Sequence, residues 1–124
     1  MPSKARRIAG SLSNLESLGF EKSYRYSGDL ESNTGTLKLF LHRDCTLTEL
    51  DLFVGTAPVG SDITLDLKKN GSSFATPSIS DGTTENTGIA TSVSFSTGDY
   101  ITVDITQVGS TTSGSDLYAV LTFT

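Results

Sequence analysis

From residue 36 onward, apolar and polar side chains alternate with a period of two. Leu37, Leu39 and Leu41 alternate with Lys38, Phe40 and His42; Leu50, Leu52 and Val54 with Asp51 and Phe53; and Ile63, Leu65 and Leu67 with Thr64, Asp66 and Lys68. Side chains on an extended chain point to opposite faces in turn, so each set predicts a strand with one buried face. Further strands are predicted at 73–79, 88–95, 100–107 and 116–123. In the last two, Ile101, Val103 and Ile105, then Leu117, Ala119, Leu121 and Phe123, occupy one side. A weaker strand near Tyr24 to Tyr26 brings the number to about eight. Short strands separated by Gly, Asn, Asp and Ser turns predict an all-β fold: an antiparallel β-sandwich with jelly-roll topology as the leading arrangement.

Two of these strands echo each other. "ITLDLKKNGS" at 63–72 and "ITVDITQVGS" at 101–110 share the order Ile, Thr, apolar, Asp, apolar, followed by Gly-Ser after three positions. Asp66 and Asp104 fall on the polar side of both, which predicts that they face water and that replacing Asp104 by Asn alters little. Two copies are too few for a solenoid.

The first residues read differently. Ile8, Leu12, Leu15 and Leu18 recur at spacings of four, three and three, the stripe of a short helix, and Gly19 stands where a helix stops. So short a helix is marginal alone, and Gly10 and the serines weaken it further, so it is expected to order only against a partner or the body. The turn-rich stretch "YRYSGDLESNTGT" marks the boundary, giving an arm over 1–26 and a sandwich over 27–124.

Charge sharpens that division. Residues 1–26 carry five basic side chains against two acidic ones, a balance of +3, and the remainder carries four against twelve, a balance of −8, which together make the net −5 of the 124-residue chain. A basic arm followed by an acidic body implies that the arm meets an acidic surface: nucleic acid, a neighbouring copy or another protein. No stretch approaches the roughly 18 apolar residues of a membrane span, and "MPSKARRIAGS" lacks the apolar core of a secretory signal, so synthesis in a cytoplasm is expected. With Cys45 as the one cysteine, no intrachain disulfide can form.

Candidate chemistry is sparse. His42, Asp44 and Cys45 in "LHRDC" are the residue types of a thiol nucleophile and its base. Neighbours on an extended chain point apart, however, and the reading preferred here is a strand-end His and a small packed Cys, with no catalytic residues. Asp62, Asp66, Asp81, Asp99, Asp104 and Asp116 could offer oxygen ligands to calcium, but no window has EF-hand spacing. They read as turn formers, and neither a metal nor any other cofactor is assigned. Tyr24, Tyr26, Tyr100 and Tyr118 are the rings expected to be exposed; Tyr118, with Tyr100, is a candidate subunit interface.

The segments "PVGSDITLDLKKNGSSFAT", "ISDGTTENTG" and "TGDYITVDITQVGSTTSGSDLYAVLTF" resemble a β-sandwich module of tailed-bacteriophage structural proteins, found in fibre or tail components and in small capsid decoration, or cement, proteins. The likeness covers roughly residues 47–124. It rests on Gly60-Ser61-Asp62, Lys69-Asn70-Gly71, Gly98-Asp99, Asp104-Ile105, Gln107-Val108-Gly109-Ser110 and Gly114-Ser115-Asp116-Leu117. The resemblance implies a jelly-roll-like sandwich, frequently trimeric, without enzymatic activity. A sandwich standing nearly alone behind a short basic arm fits decoration better than a fibre. The expectation is a protein of the outer capsid surface whose Arg6, Arg7, Ile8, Leu12, Leu15 and Leu18 grip the major capsid protein, with neither nucleic acid nor membrane as a partner. The alternative is a receptor- or glycan-binding module of a tail fibre or spike, using the loops 81–88 and 110–115.

Overall fold

The computed structural model describes residues 19–124. They form nine strands: β1 (Phe20–Asp29), β2 (Leu39–Phe40), β3 (Cys45–Phe53), β4 (Ile63–Lys69), β5 (Ser72–Ala75), β6 (Ser78–Ile79), β7 (Glu85–Phe95), β8 (Tyr100–Val108) and β9 (Ser115–Phe123). One sheet has the order β1-β9-β3-β7. The other has the order β2-β8-β4-β5, with β6 also paired to β4.

Every pairing is antiparallel, and the pairs are nested: β1 with β9, β2 with β8, β3 with β7 and β4 with β5. Rolling such a nested hairpin until β9 meets β3 and β8 meets β4 gives two stacked sheets, the jelly roll expected from the alternation. The β4–β5 hairpin turns on Asn70 and Gly71, at φ 50° and 90°, the left-handed pair that a two-residue turn needs between twisted strands. Pro77, which has no N–H to give a ladder, separates β5 from β6 along one edge of β4.

The apolar side of each alternating set meets its counterpart in the core. Leu47, Leu50, Leu52, Leu117, Ala119, Leu121 and Phe123 of the first sheet, with Ile63, Leu65, Leu67, Ile101, Val103 and Ile105 of the second, are all at most 1% exposed. Each such Leu, Ile, Val or Phe side chain stabilises the fold by about 1.5–3 kcal/mol relative to its exposed state. At one end four rings from four strands follow one another. Phe20 stacks on Phe123 at 4.9 Å, and Phe95 meets Phe123 and Phe74 edge-on at 6.0 and 5.8 Å.

Several sequence expectations change. Tyr24, expected to be an exposed ring, is 6% exposed and lies in the core, and the stretch 73–79, expected as one strand, forms two, β5 and β6. The sheet begins at Phe20, ahead of the boundary drawn at residue 27, because Phe20, Tyr24 and Tyr26 turn inward against β9. Lys22 and Arg25, counted with the arm's charge, therefore stand on a strand. Leu37 is 57% exposed and outside any strand, whereas Leu41 is buried; the alternation predicted for 37–42 is realised only at β2 and Leu41. The helix predicted over Ile8, Leu12, Leu15 and Leu18, and the contact residues Arg6 and Arg7, lie outside the described residues.

Candidate functional site: two outer sheet faces

The echoing strands β4 and β8 are neighbours, and Asp66 stands directly opposite Asp104. Two carboxylates facing one another repel unless each has its own partner. Asp66 accepts a hydrogen bond from the Ser73 hydroxyl. Asp104 pairs with the Lys68 ammonium at 2.7 Å through one oxygen and accepts the Gly35 N–H at 2.8 Å through the other. Asp104 is only 7% exposed and Thr102 beside it 8%, which corrects the expectation that Asp104 merely faces water. The cause lies far away in sequence. The segment between β1 and β2 runs along the free side of β8: Asn33 bridges to Ile105, and the Gly35 backbone lies so close to the Val103 carbonyl that no Cβ fits there.

This cover leaves a groove of about 350 Å³ over the second sheet, walled by Thr34, Gly35, Thr36, Lys38, Tyr100 and Gly71 with Asp104 and Lys68 in its floor. Tyr100 is half-buried. Its ring carries the Lys38 ammonium at 4.7 Å and meets Phe40, itself 47% exposed, at 5.7 Å. The electrostatics are those of a clasp. The Lys68 ammonium, then the Gly35 N–H, hold the Asp104 carboxyl below its usual range against the opposing effect of burial, and Asp104 in turn raises Lys68.

The outer face of the first sheet has no such cover among the described residues. Phe53 of β3 lies beside Tyr118 of β9, and Arg25 of β1 lies on its other side with its guanidinium 5.5 Å from the ring centre. One row along, Val120 is beside Asp51, and beyond it Thr122 lies between Glu21 and Glu49. The result is a strip of Tyr118, Phe53 and Val120 edged by carboxylates. Tyr118 is 38% exposed, as its outward register predicted. Glu49 is pushed above its usual range, first by its hydrogen bond with Asp51, then by the like charge of Asp51, then by burial and the like charge of Glu21.

The other sequence candidates disperse. Cys45 points into the core, and burial, more than its charged neighbours, raises its thiol. Asp44 accepts the Thr97 N–H, whereas exposed His42 lines a shallow groove of about 240 Å³ with Phe20, Lys22 and Arg43. No relay connects them. The remaining aspartates tie turns: Asp62 accepts the Asp81 N–H, Asp81 the Gly60 N–H, Asp99 the Ser96 N–H and the Asn70 amide, and Asp116 the Gly28 N–H. Among the described residues no three His, Cys, Asp or Glu side chains gather as a metal site would require. Of the two loops named for ligand binding, 81–88 runs into β7 at Glu85, and 110–115 is bonded back to the Val59 carbonyl through Ser110, Thr111 and Thr112.

Sequence reasoning placed Tyr118 on the outward side of its strand and missed the clasp. Its one local sign is the glycine and threonine stretch "NTGT" at 33–36, a segment without apolar period that can approach another backbone closely. Compared with protein-family models and with curated proteins, the chain matches none.

Proposed function

We propose that this chain is a structural virion protein of a tailed bacteriophage, a capsid decoration protein that grips the major capsid protein through its basic arm, stabilising the shell from its outer surface as a trimer and doing no catalysis. The jelly roll agrees with what the sequence resemblance implies. The observation that carries the reading is where the arm joins the body. The described chain starts beside the Phe20–Phe123 stack, and Lys22, His42 and Arg43 line the groove at that point, Arg43 with its guanidinium 4.5 Å from the Phe20 ring centre. Positive charge in the arm thus continues onto the adjoining end of an otherwise acidic body, giving one contact surface for a complementary acidic shell.

The test is co-sedimentation with purified shells. The Arg6→Glu, Arg7→Glu, Leu12→Ser variant should lose roughly tenfold or more in affinity, since every 1.4 kcal/mol of lost contact is tenfold, while its urea unfolding midpoint stays that of the parent. Equal binding of both forms rejects the reading. The alternative, a glycan-binding module of a fibre or spike, draws support from the threonine-lined groove beside Tyr100. It requires Tyr100→Ala to abolish binding on a glycan array and the arm substitutions to leave it intact.

A further inference from the structure

The groove on the second sheet has both walls tied to the strand that makes its floor. Tyr100, Thr102 and Asp104 alternate along β8 with the buried Ile101, Val103 and Ile105, so all three stand on the outer side. On one flank the Gly35 N–H bonds to Asp104, and Asn33 exchanges backbone hydrogen bonds with Ile105. On the other flank the turn carrying Gly71 is fixed through Asn70, whose N–H donates to the Tyr100 carbonyl and whose side-chain oxygen accepts the Tyr100 N–H. The cavity of about 350 Å³ is therefore built before any ligand arrives. Its size falls within the roughly 300–1,000 Å³ of small-molecule sites, and a preformed site has little ordering cost to offset.

Charge selects the ligand. Two lysines, Lys38 and Lys68, against one aspartate, Asp104, give the lining a balance of +1. Asp104, its side chain 9% exposed, takes up the Lys68 charge and orients that ammonium, which keeps N–H donors for a ligand. Lys38 differs: its ammonium rests on the Tyr100 ring at 4.7 Å, and among the described residues it forms no ion pair. One uncompensated positive charge at a fixed place calls for one negative charge. The exposed Thr34 and Thr36 hydroxyls, each able to donate and accept, call together with the Lys68 donors for hydroxyl groups around it. A phosphate group, with close to two charges near neutral pH, exceeds what this lining offsets.

We propose that this groove binds an acidic saccharide, a pyranose carrying one carboxylate such as a hexuronic or sialic acid, with the carboxylate on Lys38 and ring hydroxyls on Lys68, Thr34 and Thr36. Asp104 is a positioning residue in this site, acting through Lys68. The proposal rests on the glycan reading of the groove, which it narrows to one charge class, and it stands whether or not the chain binds a shell.

The experiment titrates the isotope-labelled full chain with galacturonate, glucuronate and N-acetylneuraminate in turn, with galactose and glucose as neutral counterparts and inorganic phosphate as the competing anion. Expected are shifts of the Gly35, Gly71 and Tyr100 amide resonances with at least one acid, at an affinity roughly fivefold above that for the neutral sugars, the upper end for an exposed charge pair. Lys38→Gln should bring the acid down to the affinity of the neutral sugars, and Lys38→Arg should keep the preference, both with the parent's urea midpoint. Equal affinity of the parent for acids and neutral sugars overturns the proposal and leaves the glycan reading standing, whereas no shift with any of the sugars overturns both. Phosphate that shifts the same amides as strongly as the acids shows a general anion site and overturns the proposal too, as does an acid preference that survives Lys38→Gln.

Discussion

The two outer faces of the sandwich present carboxylates in opposite circumstances. On the second sheet the chain's own segment before β2 closes over Asp104, and Lys68 and the Gly35 N–H satisfy both of its oxygens. On the first sheet Glu49, Asp51 and Glu21 crowd one another around exposed aromatic surface. The same alternation produces both faces. What separates them, among the described residues, is whether a distant part of the chain returns to provide counter-charge and cover.

The largest effect should come from removing the cover. Gly35→Ala drives a Cβ into the Val103 carbonyl, a backbone atom that cannot swing aside, so the segment must lift off β8. A loss of about 3 kcal/mol is expected by urea unfolding, with increased hydrogen exchange at Ile105, whose N–H is bonded to the Asn33 carbonyl.

Next is the clasp. Asp104→Ala leaves the Gly35 N–H without its partner and should cost about 2 kcal/mol. Because the folded carboxyl titrates below its unfolded value, its contribution is complete above the ordinary carboxylate range near 4 and disappears as pH falls through the lowered folded value. Urea midpoints taken from pH 7 to pH 2 should therefore fall less steeply in the variant. An unchanged acid limb would mean that Lys68 and Gly35 do not hold this carboxyl.

The smallest effect has the opposite sign. Glu49 titrates above its ordinary value, so its favourable contribution is present below the unfolded pKa and lost as pH rises through the folded one. Glu49→Gln should then make the protein slightly more stable at neutral pH, with the difference vanishing in acid. If Glu49→Gln instead destabilises at pH 7, a cation already neutralises this face.

The period of two was sufficient to identify β4, β8 and β9, the inward set on β8 and β9, and the outward register of Tyr118, because these depend on local geometry. It assigned Asp104 to the correct face and the wrong environment. Alternation tells which way a side chain points, while what lies over it is set by contacts such as Gly35 with Asp104, far apart in sequence. Leu37 shows the same limit in reverse: its spacing from Leu39 and Leu41 fits a strand, but the segment turns aside beside β8 before that alternation is realised. The dispersal of His42, Asp44 and Cys45 was legible, since an extended chain separates neighbours.

One consequence follows from the nesting of the strands. β9 lies between β1 and β3, so a growing polypeptide that has already delivered β1 has nothing to hold it in the sheet until β9 has left the ribosome. Closure of this sheet thus waits for β9, and until β9 arrives the inward faces of β1 and β3 remain open to aggregation or to chaperones.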